Sequence, residues 1–375
     1  MNLEERLRAR IRREGPISSY EWMKAALYDE RDGYYCRADK VRQGRAGDYR
    51  TAPETSPLFG GAFASYFAKS YFDLGAPEQW TIVDVGGGAG DFAHDVLSSL
   101  RRNFPKIFAA TRYVIDEISA AAQSQTLTKV AGFKDRIQFK SLAEFTEPLP
   151  YAIIFSNELL DAFPVHRVIG RGGTLKEFWV GLSDEDKFVW SETDLTSRVA
   201  EYCERSGLRL SEGQIYEVNL ESEDYVARAA RLIEQGLLIT VDYGGRREEL
   251  LGDPNRFDGT LRAFHRHRPG EDVLAHPGEQ DLTTTIDWTQ VMEAGARNGL
   301  ETLRLERLNE FLIGEGVLDE LMNAANRISD TVEQLNYHAR ARELIMPDGL
   351  AASFQVLVQR KRSEPGFTPS GVKCL

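Results

Sequence analysis

From residue 81 onward, short apolar runs rich in β-branched residues alternate with stretches of helical period. The runs are TIVDVG at 81–86, RYVIDEIS at 112–119, RIQFK at 136–140, AIIFSNEL at 152–159, LLITVDYG at 237–244, ETLRLERLNEF at 301–311 and SFQVLVQRK at 353–361. Near-continuous apolar strands separated by helices predict a parallel sheet covered on both faces, here with seven strands. Residues 1–80 read as helices and loops, with PISSYEWMKAAL forming a capped helix after Pro16. The core is expected over 81–164 and 237–361, interrupted by an insertion at 165–236. There VHRVIGRGGTLKEFWVGLSDEDKFVW alternates apolar and polar residues between turn residues RGG and SDEDK, which predicts an antiparallel meander. Helices are expected at roughly Leu195 to Arg205 and near 222–235. A loop-rich segment at 245–286 and a helical one at 312–350 interrupt the core further. Residues 362–375 are expected to fray.

Composition narrows the class. The chain has 375 residues, 42% hydrophobic and 28% charged, which suits a globular α/β protein with large insertions. Cys36, Cys203 and Cys374 are odd in number and far apart, so neither a disulfide framework nor metal spacing is evident. A reducing cytoplasm fits. The N-terminal MNLEERLRARIRREG lacks the apolar segment of a secretory signal, and Glu4, Glu5 and Glu14 argue against a transit peptide. No apolar run reaches the roughly 18 residues of a membrane span. The net charge of −12 disfavours nucleic acid and suits a basic partner.

The most telling stretch is TIVDVGGGAGDF, where Gly86, Gly87, Gly88 and Gly90 follow the first strand and precede a helix. The spacing G-x-G-x-G differs from the G-x-G-x-x-G of dinucleotide enzymes and lacks the G-K-[ST] of a phosphate loop. By itself it is compatible with a bare tight turn. Glu117 ends the second strand, 27 residues beyond Gly90. A carboxylate there is placed for both hydroxyls of a ribose, so the pair of features favours a nucleoside over a phosphate. NAD is accordingly expected to bind poorly.

A Rossmann-like seven-stranded sheet with D-x-G-x-G-x-G and an acid after the second strand resembles the S-adenosylmethionine-dependent methyltransferases. The segments MKAALYDERDGYYCR, GDYRTAPETSPLFG, VDVGGGAGDF, IDEISAAAQSQ, FSNELLDAFPVHRV, ITVDYG, GTLRAFHRHR and DLTTTIDW are more specific. Together they resemble the MidA-like methyltransferase family, which includes a mitochondrial complex I assembly factor. One departure is Gly87, where the family commonly has Pro. The resemblance implies S-adenosylmethionine as cofactor and arginine N-methylation of a protein partner, such as a respiratory complex I subunit. The cofactor-binding candidates are Asp84, Gly86, Gly88, Gly90, Glu117, Leu142, Asp48 and Thr51, with the 1–80 region covering the site. Asp48 and Thr51 equally suit an Asx turn stiffened by Pro53.

The catalytic candidates, Asn157, Glu158 and Asp161, follow the fourth strand in FSNELLDAFP. Arginine has a pKa above 12, so carboxylates are expected to grip and orient the guanidinium and not to deprotonate it. Glu158 is the first choice for this grip. Asp161 is second, and would share its face if a helical turn follows the strand. Asp161 also suits a helix cap or a bridge to Arg167, and Asn157 a turn brace. His265 and His267 lack a third ligand at metal spacing and read as a solvated loop. Asp281 is a candidate near the substrate mouth, though Thr283 to Asp287 reads better as a capping segment for the helix that follows. Transfer is expected to proceed directly to nitrogen without a metal. The rival readings are a cofactor-binding assembly chaperone without catalysis and a small-molecule methyltransferase.

Overall fold

A computed structural model describes residues 1–37, 53, 56–265, 268–270, 272–325 and 330–362. The chain divides into two compact units, one of Met1–Tyr49, Leu160–Asp224 and Gly244–Val291, the other of Arg50–Leu159, Tyr225–Tyr243 and Met292–Leu375.

The second unit holds the seven-stranded sheet. Its strands are β1 (Trp80–Val85), β2 (Thr111–Asp116), β3 (Ile137–Phe139), β4 (Leu149–Asn157), β5 (Ile233–Asp242), β6 (Glu301–Arg307) and β7 (Gln355–Lys361). The order across the sheet is β6-β7-β5-β4-β1-β2-β3. The first five strands run parallel, and β7 lies antiparallel between β5 and β6. All seven apolar runs thus become strands. All six residues of β1 are buried, as expected for a strand covered on both faces. Helix Leu58–Asp73 covers one side with Phe59, Phe63 and Phe67, spaced four apart. Phe63 and Phe67 meet Phe155 of β4, and Phe92 stacks on Phe155 with ring centroids 4.1 Å apart. Gly60 lets this helix approach Asp91–Asn103, because a Cβ there would lie 2.6 Å from Asp95 Cβ.

Two boundaries differ from the sequence reading. The helix expected near 222–235 ends at Leu232, because Ile233 already pairs with Leu149 and tertiary pairing overrides helical pattern. The run at 301–311 splits after Arg307. Leu308, Phe311 and Leu312 are buried at helical spacing, and helix Leu308–Gly314 forms there.

The first unit is built around an antiparallel sheet. His166–Arg171, Thr174–Leu182 and Phe188–Thr193 form the expected meander. Gly172 and Gly173 make its first turn with φ of 54° and 76°, as a two-residue hairpin of this hand requires. Ile215–Val218 pairs with the first of these strands and Ile17–Ser18 with the second. Ser18 also caps helix Ser19–Tyr28 in a reciprocal bond with Glu21. Helix Leu3–Glu14 buries Leu3, Leu7 and Ile11 in a cluster with Trp22 and Val180. The 245–286 segment, expected as loop, contains helix Arg247–Gly252 and several short strands. Among the described residues no helix is long and apolar enough to cross a membrane.

Gly236, inside β5, has φ of 149°, and a Cβ there would lie 1.7 Å from the Ala152 carbonyl oxygen of β4. Gly236→Ala must therefore part the two central strands. Urea denaturation should show a loss of about 3 kcal/mol or more, in the range of severe core lesions. An unchanged midpoint would contradict this close approach.

Candidate active site

Strand register sets the site. Val85 of β1 pairs with both Asp116 of β2 and Ser156 of β4, and Val241 of β5 pairs with Asn157. The four central strands therefore end at one level, with the glycine loop, Glu117 and Asn157-Glu158 at their carboxyl ends. Ligands of open α/β sheets bind in this crevice.

Each glycine of the loop has its own physical reason. Gly86, Gly88 and Gly90 have φ of 73°, 53° and 81°, left-handed values that other residues avoid. A Cβ on Gly90 would also lie 2.7 Å from Thr126 Cγ2, and Thr126 Oγ1 donates to the Gly88 carbonyl over 2.9 Å. At Gly87 a Cβ would lie 2.7 Å from Ile115 Cγ2. The buried Ile115 thus fills the space that a proline ring would need. Gly90 then caps helix Asp91–Asn103.

The Glu117 carboxylate is fixed by two backbone donors, Gly88 N–H at 2.9 Å and Ser119 N–H at 2.7 Å. It ties the end of β2 to the glycine loop. Its neighbour Asp116 accepts from the Leu142 N–H over 2.7 Å, which holds the segment after β3 in place. Burial raises the Asp116 pKa, with the Leu142 and Ser141 donors opposing the shift. Leu142 itself is buried. Asp84 lies beneath the loop at 3% exposure, where Tyr113 Oη donates to it over 3.0 Å. Burial pushes its pKa up to about 7 against the Tyr113 hydrogen bond, with the Glu117 charge adding to the rise. Asp84 thus acts on the site through the loop above it.

Glu158 is the unusual residue. It has φ of 50°, one of four non-glycine residues with positive φ among those described. Its N–H donates to the Val241 carbonyl over 2.9 Å, so the sheet holds this strained backbone. Asn157 Nδ2 donates to Glu158 Oε1 over 3.0 Å. Asn157 Oδ1 is buried and has no hydrogen-bond partner among the described residues. Leu159 packs against the glycine loop, with its Cδ1 3.1 Å from where a Gly86 Cβ would stand.

The other sequence candidates belong to the first unit or lie outside the described residues. The backbone after Glu158 forms a turn at Leu160–Phe163 and no helix, so Asp161 does not share a helical face with Glu158. Asp161 is buried in the first unit, where its carbonyl accepts from Thr284 N–H. Arg167 pairs with Glu217, not with Asp161. Asp281 is buried and accepts from Tyr35 Oη over 2.8 Å. Asp48, Thr51 and His267 lie outside the described residues. Among those described, no cluster of His, Cys, Asp or Glu could hold a metal ion.

Three residues at the strand ends escaped the sequence reading. Asp116 stands beside Glu117. Ile118, immediately after Glu117, is 60% exposed and offers an apolar surface for a base. Asp242 ends β5 fully buried, one residue past Val241, with the Tyr243 N–H donating to its Oδ1. Its position at a strand's carboxyl end, in VDYG, was the available signal.

Strand order β3-β2-β1-β4-β5-β7-β6, a glycine loop after β1 and a fixed carboxylate after β2 define a seven-stranded methyltransferase. The chain belongs to a family of S-adenosyl-L-methionine-dependent methyltransferases whose pattern matches residues 62–305. It is similar to the protein arginine methyltransferase NDUFAF7 homolog, mitochondrial, of Drosophila melanogaster, with 26% identity covering 80% of this chain and 71% of the relative. The Homo sapiens protein arginine methyltransferase NDUFAF7, mitochondrial, is 24% identical over 85% of this chain and 75% of its own. A crystal structure of a likely methyl transferase from Burkholderia thailandensis, bound to S-adenosyl-homocysteine, aligns with a TM-score of 0.85 at 26% identity. It covers 96% of this chain and 92% of its own.

The residues present fit S-adenosylmethionine. Glu117 is an acceptor-only group, matched to ribose hydroxyl donors. Ile118 is exposed beside it for the base, and the left-handed glycines remove side chains where the loop faces the strand ends.

Asp84 makes stability depend on pH. Its carboxyl is protonated more readily folded, with a pKa of about 7, than unfolded at 3.8. The folded state therefore holds a proton that the unfolded state releases. The associated stability is full below pH about 4 and is lost as pH rises through about 7. Asp84→Asn should flatten this part of the profile. Subtracting denaturation free energies of the two proteins from pH 4 to 8 should give a difference growing to at most about 4 kcal/mol. Parallel profiles would show that Asp84 is ionised throughout.

Glycine relieves left-handed strain, whereas a structural carboxylate is missed when removed. Glu158→Gly should leave the thermal midpoint unchanged or raise stability by up to about 1 kcal/mol. A clear loss would make Glu158 part of the scaffold and remove the case for a strained functional residue.

Proposed function

We propose that this methyltransferase modifies an arginine side chain of a partner protein, and that Glu158 grips the guanidinium. The observation that carries this reading is the Glu158 carboxylate itself, on left-handed backbone at the carboxyl end of β4, with its neighbour Leu159 against the glycine loop. The relatives named protein arginine methyltransferases support it, as does the net charge of −12, which suits a basic partner. A respiratory complex I subunit is the partner we favour. A cytoplasmic setting also belongs to the proposal, although those relatives are named mitochondrial.

When bound, S-adenosylmethionine supplies a methyl group on a positively charged sulfonium. The chain's task is to present a nucleophilic nitrogen. At pH 7 only about one arginine in a million is neutral, so a carboxylate general base gains little by waiting for it. Glu158 instead accepts N–H bonds from the guanidinium, fixes its plane and offsets its charge. Asn157 Nδ2 holds Oε1 of Glu158, and its buried Oδ1 offers an acceptor for a further N–H of the substrate. Once alkylated, the acceptor nitrogen is at its most acidic and gives its proton to solvent water, which restores the planar guanidinium.

Radiolabelled cofactor, incubated with a lysate lacking the native enzyme and followed by amino-acid analysis of protein, tests the proposal. Label should appear on methylarginine. Glu158→Gln should keep affinity for S-adenosyl-homocysteine by calorimetry while transfer falls about 10²–10³-fold, the effect of losing one transition-state contact. Label on lysine, on nucleic acid or only on small molecules would refute the arginine assignment. Intact cofactor binding with no transfer at all would favour the chaperone reading.

A further inference from the structure

Helix Ala120–Lys129, which follows Glu117, has ten residues and buries one of them, and that one is polar. Thr126 is 0% exposed, while Leu127 beside it is 57% exposed. A helix docked by apolar burial alone would turn the leucine inward. The side chain turned inward here carries a hydroxyl on one branch and a methyl on the other.

Both branches meet the glycine loop. Thr126 Oγ1 has two carbonyl oxygens in reach, Gly88 at 2.9 Å and Ala122 at 3.0 Å, and a hydroxyl has one proton to give. Ala122 lies one turn back in the same helix, where its carbonyl also takes the Thr126 N–H. The Gly88 carbonyl has no second donor among the described residues. The hydroxyl proton therefore matters most at Gly88. Thr126 Cγ2 meanwhile occupies the space beside Gly90, 2.7 Å from where a Cβ would stand.

Gly88 is thus held at both of its polar groups: its N–H donates to Glu117 and its carbonyl accepts from Thr126. The Gly88–Ala89 peptide is trans. Holding its carbonyl toward the helix turns its N–H, on Ala89, to the opposite side. The same helix also steadies the groups on either side of that peptide. Its N-cap residue Ser119 gives its N–H to Glu117 Oε1, and Gln123 Nε2 donates to the Glu117 carbonyl over 2.5 Å. At its far end Lys129 Nζ lies 2.6 Å from Oδ2 of Asp91, in the first turn of the helix that follows the loop.

We propose that Thr126 is a positioning residue for S-adenosylmethionine, its hydroxyl holding the Gly88–Ala89 peptide in the orientation that the cofactor meets. Being fully buried, Thr126 acts through the loop and not by contact with the ligand.

Two variants separate its branches. Thr126→Val keeps the shape and removes the hydroxyl; Thr126→Ser keeps the hydroxyl and removes the methyl. Calorimetry with S-adenosyl-homocysteine should show affinity about tenfold lower for Thr126→Val, the effect of one lost hydrogen bond, and within about twofold of the parent for Thr126→Ser. Radiolabelling of lysate protein should show the same split. Thr126→Val should raise KM for S-adenosylmethionine and leave the rate at saturating cofactor unchanged, as a loss of uniform binding does. Parent-like affinity in Thr126→Val would overturn the proposal. Equal losses in Thr126→Val and Thr126→Ser would also overturn it, since packing of the methyl would then be what the loop needs. If Thr126→Val does not fold, Thr126→Ala, a better helix former, removes the hydroxyl in its place and is compared with Thr126→Ser by the same calorimetry.

Discussion

Parallel pairing of β4 with β1 on one side and β5 on the other is the constraint on which the rest depends. A strand bonded on both edges has no freedom to slide, because a one-residue slip would turn Ile153 and Phe155 away from the faces where they are buried. The end of β4 is thereby fixed against the end of β1. Glu158 and the glycine loop need no direct bond to each other to be held in register. The close approach at Gly236 and the aromatic stack of Phe92 on Phe155 serve the same placement from the neighbouring strand and the covering helix.

The glycine loop sits on a second, electrostatic support. Below it lies a buried acid that favours its protonated form; beside it, Glu117 draws the Gly88 amide toward β2. The loop is therefore shaped by groups on β1 and β2, while the strained Glu158 is braced from β5 through Val241. Placing Glu117 and Glu158 after separate strands lets each be held without disturbing the other. The cost is local: left-handed backbone at Glu158 persists only because the sheet bonds around it leave no alternative.

Much of this was legible in the chain. The seven apolar runs became the seven strands because buried parallel strands need apolar residues on both faces, and few other elements produce that pattern. The RGG hairpin and the capped helix after Pro16 were legible because their chemistry is local. What sequence could not show depended on partners distant along the chain. The helix before β5 ends where Leu149 captures Ile233, and no local pattern marks that residue. Asp161 looked like a helical neighbour of Glu158, yet the left-handed Glu158 turns the backbone away from helix. Gly87 stands where the family commonly has Pro; it is a tightly packed position, and only the position of the Ile115 methyl reveals it.

Strand β7 is the last of the seven in the chain, yet it lies between β5 and β6. On the ribosome, β6 emerges some fifty residues before the strand that joins it to the sheet. Until Gln355–Lys361 arrives, β5 presents an open edge of unpaired amides and carbonyls in its most apolar stretch, Leu237 to Val241. The sheet therefore cannot close during most of its synthesis, and the nascent chain carries an aggregation-prone edge that only the final strand conceals. Premature termination before residue 355 removes far more than a terminal segment, since β6 then loses the strand that bonds it to the sheet.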